Sequence, residues 1–134
     1  MLTGATRLRV RYPETDPMGV AHHTHFLVWF EIGRTELLRE AGCPYAAMEA
    51  DGIMMPVIEA TCRYLAPARY DDLIEVRTSL AEVSRATARF EYRVERPADG
   101  KTLATGSTRH AAVDRRGVPR RLPASLAGLH GRGA

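Results

Sequence analysis

Residues 12 to 30, YPETDPMGVAHHTHFLVWF, set a single carboxylate, Asp16, in a loop punctuated by proline and glycine, ahead of His22, His23 and His25 and an apolar run. A carboxylate a few residues before a helix start is held near unpaired backbone N–H groups and the positive end of the helix dipole. That arrangement suits an anionic base or nucleophile beside donors that polarise a carbonyl, which is the chemistry of acyl transfer. Aspartate in a TDP turn also serves as an Asx-turn or capping residue, and local sequence leaves both roles open.

Other chemistries fit less well. There is no GxSxG elbow, and Cys43 and Cys62 have neither CxxC spacing nor the context of a nucleophile. His22 and His25 fall three apart and share a helix face, but a third ligand and the HExxH spacing are missing, so no metal is expected. The histidines read as flanking a helix start, or as orienting substrate, with His23 favoured for the latter. Glu59 lies on the polar side of an alternating strand, and Glu31 points outward or toward a second subunit. Arg69 with Asp71 or Asp72 reads as a surface pair. Hydrolysis driven by a carboxylate is the acyl transfer these residues support best.

The 134 residues make one domain, 1–134, long enough for a core, with 45% hydrophobic and 26% charged residues. The net charge of +3 and pI of about 9.2 come almost wholly from arginine. Arg109, Arg115, Arg116, Arg120 and Arg121 gather near the C-terminus. They suit either a solvated basic face or the phosphates of a nucleotide-bearing small molecule. Nucleic acid is not expected as a partner, because no recognisable binding motif accompanies the charge. No apolar run approaches the roughly 20 residues of a membrane span, and the N-terminus has no apolar signal core. A cytoplasmic protein without membrane insertion and without a cofactor is expected.

The surrounding elements follow from periodicity. Arg7 to Tyr12 alternates as a strand with Leu8, Val10 and Tyr12 inward. His22 to Ala41 reads as a helix apolar nearly all round in its first half and so buried on most sides, with Gly33 permitting close approach of another backbone. Gly42 and Pro44 end it. Tyr45 to Ala50 suits a short helical piece. Met54 to Leu65, Leu73 to Val83, Ala86 to Arg96 and Lys101 to Asp114 read as strands, with a hairpin turn at residues 97–100. The tail after Pro119, about residues 120–134, is expected to fray. One long buried helix wrapped by an antiparallel meander gives an α+β fold, and its open edges favour self-association.

The run TDPMGVAHHTHFLVWFEIGRTELLREAG resembles the hot-dog-fold acyl-CoA thioesterases of the 4-hydroxybenzoyl-CoA thioesterase type, nearest the branch associated with the Tol–Pal cell-envelope system. VIEATCRYLAPARYDDLIEVRTSL and FEYRVERPADGKTLATGSTRHAAVDRRGVPRRLP extend the resemblance over about residues 6 to 123. It implies a hot-dog fold with a five-stranded sheet, a homodimer or homotetramer with active sites between subunits, and hydrolysis of an acyl-CoA to a free acid and CoA. It further implies Asp16 as the essential carboxylate, nucleophile or general base, and the backbone N–H at His23 as the donor to the thioester carbonyl. Gly19 lets the loop turn. Arg85, Arg109 and Arg116 are the candidates for CoA contacts. The family's usual Asn and Tyr after the catalytic-position His are here His25 and Phe26. Rival readings are a thioesterase acting on acyl carrier protein and a non-catalytic acyl-CoA-binding or scaffold protein.

Overall fold

The computed structural model of the chain describes residues 2–130. Strand β1 spans Leu2–Arg9, and a 3-10 turn at Tyr12–Glu14 leads through the Asp16 loop into helix α1, Thr24–Glu40. Helix α2 (Tyr45–Ala50) precedes strands β2 (Val57–Tyr64), β3 (Leu73–Val83), β4 (Thr87–Arg96) and β5 (Lys101–Ala111), and a last helical turn, α3 (Ala124–Ala127), follows. All five strands join one antiparallel sheet, the α+β architecture the sequence predicts.

The strand order is β1-β3-β4-β5-β2, which corrects the expected meander. Strands β3, β4 and β5 do run as consecutive hairpins, but β2 crosses to the far edge and pairs with β5. Alternation along a strand fixes its two faces, not its neighbour, so periodicity could not decide this. The crossover matters, because the segment between β2 and β3 must pass the end of the sheet beside the start of α1. Strand β1 also begins earlier than expected, at Leu2, and Tyr12 is not in the core but 74% exposed in the 3-10 turn, edge-on to Tyr70.

Helix α1 packs on β1, β3 and β4. Its inward stripe is Phe26, Trp29, Phe30, Leu37 and Leu38, set against Ile74, Val76, Leu80, Phe90 and Val94. Burial of such side chains stabilises by about 1.5–3 kcal/mol each before chain entropy is counted. Close approach depends on Gly33, where an added Cβ would come within 2.5 Å of the Thr78 hydroxyl and 2.7 Å of Val76. The partners of this close approach are side chains of β3, not a backbone.

The expectation of a helix buried on most sides fails for one chain. Leu27, Val28 and Ile32 form an outward apolar stripe, each between 37% and 43% exposed. Every residue of β2 is exposed or half-buried, and Val57, Ile58 and Tyr64 stay about half exposed although Tyr64 touches Phe26 of α1. After Pro119 the chain does not fray as far as it is described: Leu122, Leu126 and Leu129 are buried, and the Leu122 N–H donates to the Arg85 carbonyl. The expectation for residues 131–134 lies outside the described residues.

Candidate active site

The Asp16 loop is tied at both ends. The Asp16 N–H donates to the Val20 carbonyl at 2.9 Å, and the Gly19 N–H returns to the Asp16 carbonyl at 2.9 Å, with Gly19 at φ +79° where glycine is favoured. Val20 also bridges to Arg69, and the Ala21 N–H donates to the Ala68 carbonyl, both on the crossover segment. One loop from before α1 and one from between β2 and β3 thus hold each other.

Between them lies a cavity of about 390 Å³ that contains Asp16, His23, Phe26 and Tyr64, with Leu65, Ala66 and Pro67 from the crossover as apolar wall. The two roles open for Asp16 in the sequence are compatible. Its Oδ1 accepts the Met18 N–H at 2.9 Å as an Asx turn, while Oδ2 has no protein partner among the described residues. A half-buried carboxylate with one oxygen fixed and one free is oriented and still able to accept a further hydrogen bond.

The helix start supplies the donor. His22 Nδ1 accepts the Thr24 N–H at 3.4 Å, the His22 carbonyl accepts the His25 N–H, and the His23 carbonyl accepts the Phe26 N–H. The His23 N–H is left without an acceptor among the described residues. It stands at the N-terminus of α1, where the helix dipole favours negative charge. Tyr64 braces the neighbouring His23–Thr24 peptide, donating its hydroxyl to the His23 carbonyl at 3.0 Å and meeting the His23 and Phe26 rings edge-on. Burial pushes the Tyr64 phenol up to about 12, so it remains a donor at neutral pH.

The other candidates separate. His22 bonds the Thr24 hydroxyl at 2.8 Å and so caps the helix start, while His25 turns toward Glu14, 3.8 Å from its carboxylate. Among the described residues no group of three or more His, Cys, Asp or Glu is gathered as a metal ion requires. Burial raises the Cys62 thiol, which disfavours a thiolate. Arg85, Arg109 and Arg116 do not line the Asp16 cavity. Arg85 and Arg116 are exposed in turns, and Arg109 on β5 lies 3.8 Å from Glu82. All three sit at the sheet end where β2 begins, away from Tyr64.

Sequence reasoning missed Glu14. It is 3% exposed, and its carboxylate accepts the Trp29 indole N–H at 3.1 Å and the Arg11 backbone N–H at 2.7 Å. Its own carbonyl accepts the His22 N–H at 2.8 Å. Glu14 therefore nails the segment before Asp16 to the core face of α1. The signal was an acid two residues from Asp16 with a single tryptophan on the following helix, a residue whose buried N–H needs an acceptor. No helix among the described residues is long and apolar enough to cross a membrane.

Known proteins resemble this chain in sequence and fold. Residues 10–128 match the thioesterase-like superfamily. The acyl-CoA thioester hydrolase YbgC of Escherichia coli is 32% identical over 89% of this chain and 89% of its own length. The acyl-CoA thioesterase YbgC of Haemophilus influenzae is 34% identical over 80% of this chain and 78% of its own. The solved structure of a hypothetical protein from Thermus thermophilus superposes with a TM-score of 0.88 at 42% identity, covering 97% of this chain and 99% of that one. The chain belongs to the thioesterase-like superfamily and is built on the hot-dog fold.

Proposed function

We propose that the protein hydrolyses the thioester of an acyl-CoA, with water, to a free carboxylic acid and CoA, and that Asp16 and the His23 N–H carry the reaction. The observation that carries this reading is a cavity holding a carboxylate with one free oxygen beside an unclaimed helix N-terminal amide. The Asp16 carboxylate attacks the thioester carbonyl carbon, or takes a proton from the attacking water. The carbonyl oxygen gains charge in either route, and the His23 N–H and helix dipole stabilise it. Collapse of the tetrahedral species expels the CoA thiolate, which takes up a proton; the water route releases the free acid at once, whereas the nucleophilic route leaves an acyl anhydride on Asp16 that water then hydrolyses. The relatives named acyl-CoA thioester hydrolase support the substrate class. The histidine at position 23 supports placement in the Tol–Pal-associated branch.

The reading includes a dimer. Strand β2 is an uncovered sheet edge with Val57 and Ile58 exposed, and α1 shows its Leu27, Val28 and Ile32 stripe beside it. Antiparallel pairing of two β2 strands would close the edge and bring the Tyr64 end of one against the Val57 end of the other. The sheet end with Arg85, Arg109 and Arg116 would then lie near the partner subunit's Asp16 cavity, where guanidinium groups suit CoA phosphates. Two such dimers would make a tetramer.

Rates against short, long and aromatic acyl-CoAs, and against acyl carrier protein thioesters, test the reading, with Asp16→Asn as the blank. The amide keeps the Met18 contact, so the variant should fold while kcat/KM falls by about 10²–10⁴-fold. Hydrolysis at the wild-type rate in that variant, or inactivity of the wild type on the whole panel, overturns it. In single turnover in heavy-oxygen water, light oxygen in the first product marks the nucleophilic route, because only water attack on the aspartyl carbon of an Asp16 anhydride leaves it there.

A further inference from the structure

Arg34 lies in the middle of α1 and is 5% exposed, the most buried arginine among the described residues. Its Nη1 donates to the Tyr92 hydroxyl at 3.3 Å, and its Nη2 stands 3.8 Å from the Glu31 carboxylate. Its Nε is buried with no acceptor among the described residues. The other groups packed around it carry no compensating charge. Burial raises the Tyr45 phenol, whose ring lies 5.9 Å from the guanidinium, and the Tyr92 phenol, and burial together with the Arg34 charge lowers His110 to about 4. Glu31, the one carboxylate near it, is mostly in solvent. A buried cation so loosely compensated, with an idle N–H, is costly unless another group arrives to accept from it.

The guanidinium is not sealed in. It borders an open cavity of about 280 Å³ whose apolar walls are Leu27, Val28, Val57 and Ala60, and whose polar end is Arg34, Thr108 and Glu31. Glu31, Arg34 and Val57 also border a larger cavity of about 670 Å³ beside α2, so both spaces open onto the same group. Within one chain Arg34 is too distant from the reaction. Eleven residues of helix separate it from His23, about 17 Å at 1.5 Å per residue. Across a β2–β2 pair the distance closes, because the Val57 end of one chain meets the Tyr64 end of the other.

We propose that Arg34 is a specificity residue acting across the dimer. Its guanidinium, with Thr108 beside it, receives an oxygen acceptor at the distal end of a small acyl group whose thioester lies in the partner subunit's Asp16 cavity. The apolar walls hold the carbon chain between the two ends. A distal hydroxyl or a distal carboxylate supplies the same acceptor chemistry. The hydroxyl can also donate a hydrogen bond to Glu31, whereas the carboxylate must outweigh repulsion from it. This inference rests on the thioesterase reading and on the dimer proposed with it.

Matched acyl-CoAs of equal length test it: butyryl-CoA against 4-hydroxybutyryl-CoA, and butyryl-CoA against succinyl-CoA. The wild type should favour an oxygenated member by at least about tenfold in kcat/KM, and the arm that shows it identifies hydroxyl or carboxylate. Arg34→Met, which keeps the length and removes the donors, should bring that ratio toward one. Mixed dimers of Asp16→Asn with Arg34→Met chains contain one site with both groups intact, and that site should regain the wild-type ratio. Absence of preference in the wild type on both pairs overturns the inference while leaving thioester hydrolysis standing. Preference surviving in Arg34→Met, or absent from the mixed dimer, overturns it equally. Absence of hydrolysis on every substrate removes the thioesterase reading and this inference together.

Discussion

At Glu14 one buried carboxylate answers two N–H groups, one from the Trp29 side chain and one from the Arg11 backbone, and it does so two residues before Asp16. Glu14→Gln keeps one acceptor but turns an NH₂ toward a donor. It should cost about 1–3 kcal/mol in urea unfolding, the cost of leaving a buried donor unpaired. Because the loop it fastens carries Asp16, kcat should fall along with stability. A variant with unchanged kcat would show that the loop is held without it. The place of Asp16 in a loop ahead of the helix was legible from the sequence, since proline and glycine break the chain around it. Glu14 was not, because its meaning depends on a tryptophan fifteen positions later that only folding brings near. The unclaimed His23 amide was half legible: a helix start was evident, but not which of its amides the neighbouring carbonyls and the His22 ring would take.

Among the elements, α1 can lie close to β3 only because position 33 has no side chain. Gly33→Ala would push a methyl group into Thr78 and Val76, tilting the helix that carries His23 at its head. A loss of about 1–3 kcal/mol is expected from overpacking, read as an earlier urea midpoint at unchanged slope. A midpoint equal to the wild type would mean the sheet yields freely there. Most strand boundaries were legible because alternation of Ala88, Phe90, Tyr92 and Val94 against charged neighbours is unambiguous. The edge position of β2 was not, because its alternating pattern looks like that of an interior strand; Val57 and Ile58 are apolar yet uncovered in one chain. The pattern describes a surface awaiting cover, and a sequence does not say whether the cover is intramolecular. With the topology went the crossover, and with the crossover the far wall of the cavity.

For the whole molecule, the outward stripe of α1 and the open edge of β2 form one continuous apolar region, the kind of surface that marks association. The wild type should sediment as a dimer or a tetramer. Replacing Val57 and Ile58 together by lysine should yield monomers by sedimentation, since facing charges on an edge strand oppose pairing. Hydrolysis should fall in step, although neither side chain lines the Asp16 cavity. Full activity in a monomeric variant would mean that one chain holds a complete site.

The Tyr64 hydroxyl reaches the His23 carbonyl from the last residue of that same edge strand. The helix start that carries the proposed carbonyl donor is therefore braced, through the next peptide, by a strand that, alone, has nothing on its outer side. If the proposed dimer parts on dilution, this brace should slacken before any part of the fold unravels. Output per chain would then depend on how crowded the solution is, and the molecule would be quiet when scarce.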